Sequence, residues 1–384
     1  MSVQAIRFDE VRDWMFLRAL PLWTGVGLDR THGGSVETLD LQGRDAARPF
    51  KRTRVQARQV YAFTHAHLLG WAGPGLQAAE HCWRFLRAHG RGDGGAWVRR
   101  MGREGGVLDS TVDAYDMAFM LHALAWRTRA GDPQAMEQAH ATLDALDRAL
   151  AVAPGQGWRT AEDDSRLWQN PHMHLLEASL ELADAGRDER FAGMARDILT
   201  LFRERLFDRT RGVLPEYFAA GWTPLGEDER QIEPGHHYEW TWLLLRARAL
   251  VGLDLSEEAR ALFAFAEGKG LDPSTRLADD GLDGPALTPR RTFRAWPQTE
   301  ALKANLVMFE HQGLDTRGRV AEIVSQILDR YLAVEPAGAW MDRFGADGEP
   351  LAKDVPASTL YHLFLAFAEL LRLEPRLCAD SASR

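Results

Sequence analysis

Cysteine is nearly absent. Cys82 and Cys378 are the only two among 384 residues, too few for a disulfide framework, and their spacing fits no zinc-binding pattern. A reducing compartment follows as the default. Basic charge is also scarce: 46 Lys and Arg face 55 Asp and Glu, a formal net charge of -9. A nucleic-acid backbone calls for a basic face, so no nucleic-acid partner is expected, and no membrane partner either. Mild acidity of this kind serves solubility. Long apolar runs are missing too. Stretches such as WTWLLL fall far short of the roughly 20 residues that cross a bilayer. The opening MSVQAIRFDEVRDW has no apolar core of signal-peptide length. The expectation is a soluble, cytoplasmic protein.

Strand-like alternation is scarce, and no Ser- or Pro-rich tract interrupts the chain before the short tail CADSASR, which reads as disordered. Helical periodicity is present almost everywhere. Apolar residues at three- and four-residue spacing begin near residues 8, 53, 75, 111, 133, 171, 188, 235, 255, 297, 314 and 358. Turn signals such as WAGPG, AGDP, VAPGQG and FGADGEP fall between them. The even-numbered helices start near 53, 111, 171, 235, 297 and 358, so successive starts lie 58, 60, 64, 62 and 61 residues apart. A near-constant step marks a repeated helical hairpin. Six hairpins can close into a double-walled ring, the (α/α)6 barrel, or stack as an open solenoid with polar end units. The even helices are the more apolar and carry the unusual polar residues, as an inner wall should. Closure is therefore expected: an all-α chain, with residues 1–384 forming one barrel domain.

The uncommon polar residues gather at the starts of the even helices. The second opens KRTRVQARQVYAF, with Arg54, Gln56 and Arg58, and the fourth opens TVDAYDMAF, with Asp113, Tyr115 and Asp116. The sixth opens PHMHLLEA, with His172, His174 and Glu177, and the eighth EPGHHYEWTWLLL, with His236, His237 and Glu239. The tenth opens AWPQTEALKA, with Trp296, Gln298, Glu300 and Lys303, and the twelfth PASTLYHLF, with Ser358, Tyr361 and His362. Parallel inner helices would bring all six clusters to one mouth, where a ligand site is expected. Helix N-termini add free N–H groups and a positive dipole end, which suit a developing oxyanion. His236 and Glu239 are three apart and share a helix face, so the carboxylate can hold the imidazole. His174 and Glu177 repeat that spacing, whereas His172 and His174, two apart, cannot share a face. A histidine near a helix N-terminus is expected to be neutral near pH 7 and a competent base.

Each residue also has a structural reading. Arg54 and Arg58 can seal a helix end against acids. Tyr115 can be a core residue with a tethered hydroxyl, and Glu177 and Glu300 can be first-turn acids that suit the dipole. A histidine inside LYHLFLAF is ordinarily a satisfied core residue. The 13 tryptophans are first of all core residues, although some can line a sugar site. His174, His236, Glu239 and His362 could in principle compose a zinc site. HExxH and cysteine-based spacings are missing, however, and neither metal nor cofactor is expected.

The segments HGGSVETLD, QARQVYAF, QNPHMHLLEA, EPGHHYEWTWLL, WPQTEALKA and LYHLFLAFAEL resemble, in order, the N-acylglucosamine 2-epimerase superfamily across roughly residues 10 to 372. That superfamily includes mannose, sulfoquinovose, and cellobiose-acting isomerases and 2-epimerases. The resemblance implies an (α/α)6 barrel and a metal-independent proton transfer through a cis-enediol. It implies His236 and His362 as the acid/base pair, with Glu239 orienting His236. His174 would contact the sugar and help its ring open. Arg58 would bind the oxygens near C1 and C2, and Tyr115 and Trp296 would shape the pocket. Glu177, Gln298 and Glu300 complete the expected substrate-binding set. Ser35 departs from the pattern, standing where an aromatic residue is expected after the Gly-Gly pair.

The resulting expectation is an isomerase of D-mannose and D-fructose, acting on a small monosaccharide as a monomer or homodimer. A 2-epimerase acting on mannose/glucose or on N-acylglucosamine/N-acylmannosamine is the alternative. A glycoside hydrolase would need two carboxylates flanking the bond; Glu239 and Glu300 could be offered, but the histidines would be idle. A non-catalytic scaffold would use its outer surface rather than one end of alternate helices.

Overall fold

The computed structural model describes residues 5–153 and 155–379. Its main helices alternate between two walls. The outer helices are α1 (residues 8–25, with a widened turn at Trp14–Ala19), α3 (Gly75–His89), α5 (Ala135–Leu150), α7 (Glu189–Leu201, continuing through Phe202–Leu206), α9 (Ser256–Lys269) and α11 (Arg317–Gln326, continuing through Ile327–Tyr331). The inner helices are α2 (Thr53–Leu68), α4 (Ala114–Arg129), α6 (Gln169–Gly186), α8 (Pro234–Val251), α10 (Ala295–Gln312) and α12 (Thr359–Ala379).

Each inner helix packs on the next, and α12 packs back on α2, so the ring closes. The open solenoid is thereby excluded, and the molecule is an (α/α)6 barrel. Outer helices carry one apolar stripe: α7 buries Phe191, Met194, Ala195, Ile198 and Leu199 at three- and four-residue spacing. Inner helices are buried on nearly all sides, as α8 shows with every residue from Pro234 to Leu245 buried. Asp113 caps α4 by accepting from Tyr115 N at 2.8 Å, and Asp188 caps α7 through Arg190 N and Phe191 N. Gly252 and Gly313 end α8 and α10 in the left-handed conformation, φ 75° and 65°.

The sequence reading missed the short strands. Phe50–Arg52, Leu167–Trp168 and Phe293–Arg294 run directly into an inner helix, Gln231–Ile232 and Val355–Pro356 end just before one, and each pairs antiparallel with a neighbouring strand. Segments of two or three residues are too short to show a period of two. They form a girdle of ribbons around the N-terminal mouth of the inner wall. Of the tail expected to be disordered, Cys378 and Ala379 complete α12, and residues 380–384 lie outside the described residues. Among the described residues, no helix is long and apolar enough to cross a membrane.

Candidate active site

Four inner helices use one register. The fourth residue of each clips the incoming loop onto the helix. On α2, Gln56 Oε1 accepts from Ser35 N at 2.7 Å and Nε2 donates to Ser35 O at 2.9 Å. On α6, His172 Nε2 accepts from Trp158 N at 3.1 Å, with Nδ1 3.1 Å from Trp168 O. On α8, His237 Nε2 accepts from Leu214 N at 3.1 Å, with Nδ1 3.3 Å from Glu233 O. On α10, Gln298 Oε1 accepts from Ala278 N and Nε2 donates to Ala278 O, both at 2.9 Å. Gln298 was expected to bind substrate; its amide is instead fully engaged by backbone. Ser35 is completely buried beneath Gln56, so its departure from the expected aromatic does not touch the pocket rim.

The sixth residue of the same helices lies two positions on, about 200° round the helix. These residues are Arg58, His174, Glu239 and Glu300, and they turn inward together. Alternating loop-facing and axis-facing positions explain why His172 and His237 bond loop backbone while His174 meets Glu177.

Two histidine–carboxylate pairs stand at the mouth. His236 Nδ1 lies 2.9 Å from Glu216 Oε2, and Glu233 Oε2 is 3.7 Å away. Gln169 Nε2 also donates to Glu216 Oε2 at 2.9 Å, and Gln169 Oε1 accepts from Trp240 Nε1 at 2.6 Å. This corrects the expectation that Glu239 orients His236. Glu216, which does so, was missed because it lies in the loop before α8, fixed by Glu216 N donating to Gln231 O and Gln169 N donating to Glu216 O. A lone acid inside the apolar segment VLPEYF was the signal that could have found it. His236 was also expected to be neutral. Burial does disfavour its cation, but Glu216 and Glu233 outweigh that and raise its pKa to about 9.

The second pair joins helices α12 and α10. His362 Nδ1 lies 2.9 Å from Glu300 Oε1. Burial, with Arg58 and Lys303 nearby, holds its pKa well below the usual histidine value. Both rings flank Trp296, whose ring centroid is 4.9 Å from that of His236 and 5.6 Å from that of His362. Gly235 makes this possible, since a Cβ there would come within 2.5 Å of the indole. In each pair Nδ1 is held by a carboxylate and Nε2 has no partner among the described residues, the arrangement of a proton-transfer group.

Beneath them lies a buried charge cluster. Tyr361 Oη donates to Glu177, and His174 Nδ1 lies 3.3 Å from the same Glu177 Oε2. Glu177 and Glu300 therefore hold other side chains, where substrate contact was expected. Glu239 lies 3.7 Å from His174 Nδ1 and 4.0 Å from Lys303 Nζ, and neither oxygen has a hydrogen-bond donor. Burial and the neighbouring Glu300 raise its pKa well above the carboxylate range. Lys303 Nζ is 2.6 Å from Glu300 Oε2, an ion pair whose angles fall outside hydrogen-bond limits. Donor atoms of His174, Glu177 and Glu239, and of Glu239, Glu300 and His362, gather within 4.8 Å of one another. A protein cation, the Lys303 ammonium, already neutralises the second group, and His174 and Glu177 are bonded to each other.

Arg58 completes the site. Its Nη2 donates to Tyr115 Oη at 2.6 Å, and its guanidinium lies 4.0 Å over the Phe119 ring and 5.0 Å over Tyr361. Arg54, by contrast, seals the end of α2 against Asp116, with Nε–Oδ1 at 2.8 Å. Tyr115 also lines a cleft of about 550 Å³ with Trp168, Asn170, Asp113 and Asp163. The convergent set is thus Arg58, Tyr115, His174, His236, Trp296 and His362.

The profile of the N-acylglucosamine 2-epimerase (GlcNAc 2-epimerase) family matches residues 33–366. A protein named mannose-6-phosphate isomerase from Rhizobium meliloti (strain 1021) is 36% identical over 385 residues, covering 94% of this chain and 96% of the relative. One named D-mannose isomerase from Thermobifida fusca is 29% identical over 310 residues, 72% of each chain. The structure of cellobiose 2-epimerase from Bacillus thermoamylovorans B4167 superposes with a TM-score of 0.86 at 21% identity, covering 95% of this chain and 98% of the other. That likeness speaks to the fold.

Proposed function

The chain belongs to the N-acylglucosamine 2-epimerase family and is an isomerase-class enzyme acting on carbohydrates, and from that premise we propose that it interconverts D-mannose and D-fructose. The observation that carries this reading is the pair of His–carboxylate dyads, His236–Glu216 and His362–Glu300, both beside the Trp296 ring. Among the described residues the Nε2 of each has no hydrogen-bond partner.

The chemistry follows from the acidity of a proton alpha to a carbonyl. The open-chain aldose supplies the carbonyl at C1, and His174 assists ring opening. Neutral His362 takes the C2 proton, the C–H pair becomes the C1=C2 bond, and O1 receives a proton from the His236 imidazolium. Arg58 steadies the enediolate oxygens as charge develops. The His362 imidazolium then returns its proton to C1 while O2–H passes its proton to His236, giving the ketose. Atoms and electrons balance without an oxidant or metal.

A free sugar is favoured over a phosphate ester. The guanidiniums of Arg54, Arg99, Arg290 and Arg294 near the mouth each already meet carboxylates, and Asp113, Asp163 and Asp164 line the cleft. A second reading is 2-epimerisation: two separate dyads would also permit His236 to reprotonate C2 if the enediol presents its other face to it. Incubation with D-mannose in heavy water tests both. Fructose as the sole early product, carrying deuterium at C1 in part, supports the isomerase. Glucose with deuterium at C2 supports the epimerase. Fructose without any solvent label, as in a direct hydride shift, would sink the proton-transfer mechanism.

A further inference from the structure

The two dyads look alike but differ in what else their carboxylates touch. Glu216 Oε2 accepts a second hydrogen bond from the neutral Gln169 amide at 2.9 Å. Glu300 divides its oxygens: Oε1 meets His362 Nδ1 at 2.9 Å, and Oε2 meets the Lys303 ammonium at 2.6 Å. Lys303 is one helical turn beyond Glu300 on α10 and completely buried. Its Nζ lies 4.1 Å from the Trp242 ring centroid, and its other nearby carboxylate is Glu239 at 4.0 Å. An ammonium without access to water is an expensive arrangement unless a carboxylate beside it stays ionised.

We propose that Lys303 is a positioning residue that gives the two dyads opposite roles, keeping Glu300–His362 as the base and leaving Glu216–His236 as the acid. The reasoning rests on the proton-transfer reading above. A carboxylate raises the basicity of an imidazole through its negative charge. Lys303 neutralises that charge at Glu300, so protonating His362 would place a second cation on one carboxylate. Among the described residues no ammonium or guanidinium pairs with Glu216, and Glu233, itself met by Arg290 at 3.7 Å and Arg294 at 3.5 Å, stands 3.7 Å from His236 Nδ1.

The other groups around His362 do not reverse this. From α2 it faces the Arg58 guanidinium, which also opposes its protonation. From α6 come Glu177, which favours protonation, and His174, which forms its hydrogen bond with Glu177. From α8 come His236, which opposes protonation, and Glu239, which shares Lys303. On α12 itself Tyr361 is committed to Glu177. The directions agree: His362 is held neutral by burial, Arg58 and Lys303, and His236 is raised by Glu216 and Glu233 despite burial.

The test compares wild type with Lys303→Met, which keeps the length and removes the charge, and Lys303→Arg, which restores it. With Lys303→Met, the dyad gains a proton more readily, so the acid limb of the kcat/KM–pH profile moves upward by about one unit or more. The alkaline limb, set by His236, stays. Lys303→Arg returns the acid limb toward wild type. An unmoved acid limb in Lys303→Met, or movement of the alkaline limb instead, overturns the proposal. Ring-nitrogen NMR of the wild-type full chain needs no substrate and no variant. It should find His362 neutral and His236 protonated at pH 7, and the reverse, or two neutral rings, also overturns it. Failure to turn over mannose would strike the proposed reaction, while the same NMR titration repeated on Lys303→Met, in which the His362 pKa should rise, still judges Lys303.

Discussion

His236 Nδ1 lies 2.9 Å from Glu216 Oε2, a carboxylate twenty residues earlier in the chain, and makes no hydrogen bond to Glu239, three residues later on its own helix. Three residues advance a helix by about 300°. That leaves the two side chains only about 60° apart, so their partners separate them: Glu216 holds His236 toward the loop, whereas Glu239 lies 3.7 Å from His174 Nδ1. The acid that tunes this histidine comes from the girdle of ribbons. Glu216→Gln keeps the shape and removes the charge. Its loss should lower the His236 pKa from about 9, moving the alkaline limb of kcat/KM downward. At pH 8, kcat should fall about 10- to 100-fold, in line with the weight of partners that orient a reactive histidine. Glu239→Gln should leave the alkaline limb in place. An alkaline limb that follows Glu239 and ignores Glu216 would restore the helical pairing.

Replacing either imidazole should stop the reaction without undoing the fold. General acid–base groups contribute about 10²- to 10⁴-fold. His236→Ala and His362→Ala should each lose at least that much kcat with circular dichroism unchanged. They should also separate in an exchange assay. With His362 as base, His362→Ala loses exchange of the C2 proton with heavy water. His236→Ala retains some exchange, because its role is protonation at oxygen. Near-wild-type turnover in both variants would remove the histidines from the mechanism.

The residues at the fourth position of the inner helices should behave differently. His237 and Gln298 bridge buried backbone groups of the incoming loops. His237→Ala and Gln298→Ala leave Leu214 N and both Ala278 groups without partners, a cost of about 1–3 kcal/mol for each buried group. The measurement is thermal unfolding beside kinetics at a temperature where the variant is folded. A lower Tm with KM within a few-fold of wild type is expected. A KM raised tenfold with unchanged Tm would return Gln298 to the substrate pocket.

The repeat was legible from the sequence because closure is a problem of periodicity. Inner helices appear at 53, 114, 169, 234, 295 and 359, each within three residues of the expected start. That His236, His362, His174, Arg58, Tyr115 and Trp296 come together was legible because unusual side chains recurred at the starts of apolar helices. What failed was pairing. Gln298 looked like a ligand contact because sequence does not say which face of a completely buried helix meets a loop. Glu216 escaped because it lies in an irregular loop that carries no period, and the bond that matters spans separate elements. The charge state of His236 failed for the same reason, since its two carboxylates belong to Glu216 and Glu233.

Stability should fall steeply on mild acidification. His65 and His174 are pushed to about 3, and His172 and His237 to about 4, all chiefly by burial. Unfolded, each would titrate near 6.5. Between about pH 6.5 and 4 the unfolded chain binds protons that the native chain refuses, so unfolding becomes more favourable as pH falls. Each such histidine contributes a slope of roughly 1 kcal/mol per pH unit in that window. Asp116 opposes them, because burial raises its pKa to about 6 and lets the native state take one proton. His362, also held neutral, adds to the side of the four histidines, and buried Glu239, whose pKa is raised, adds to the side of Asp116. His236 works in the other direction. Its native pKa is raised, so its contribution is full below 6.5 and is lost as pH rises through about 9. Thermal unfolding from pH 4.5 to 9.5 should therefore show a steep acid limb and a shallow alkaline one. His172→Gln, which removes one of these neutral rings, should make the acid limb shallower. A Tm that holds level between pH 6.5 and 4.5 would mean that these rings accept protons in the folded state.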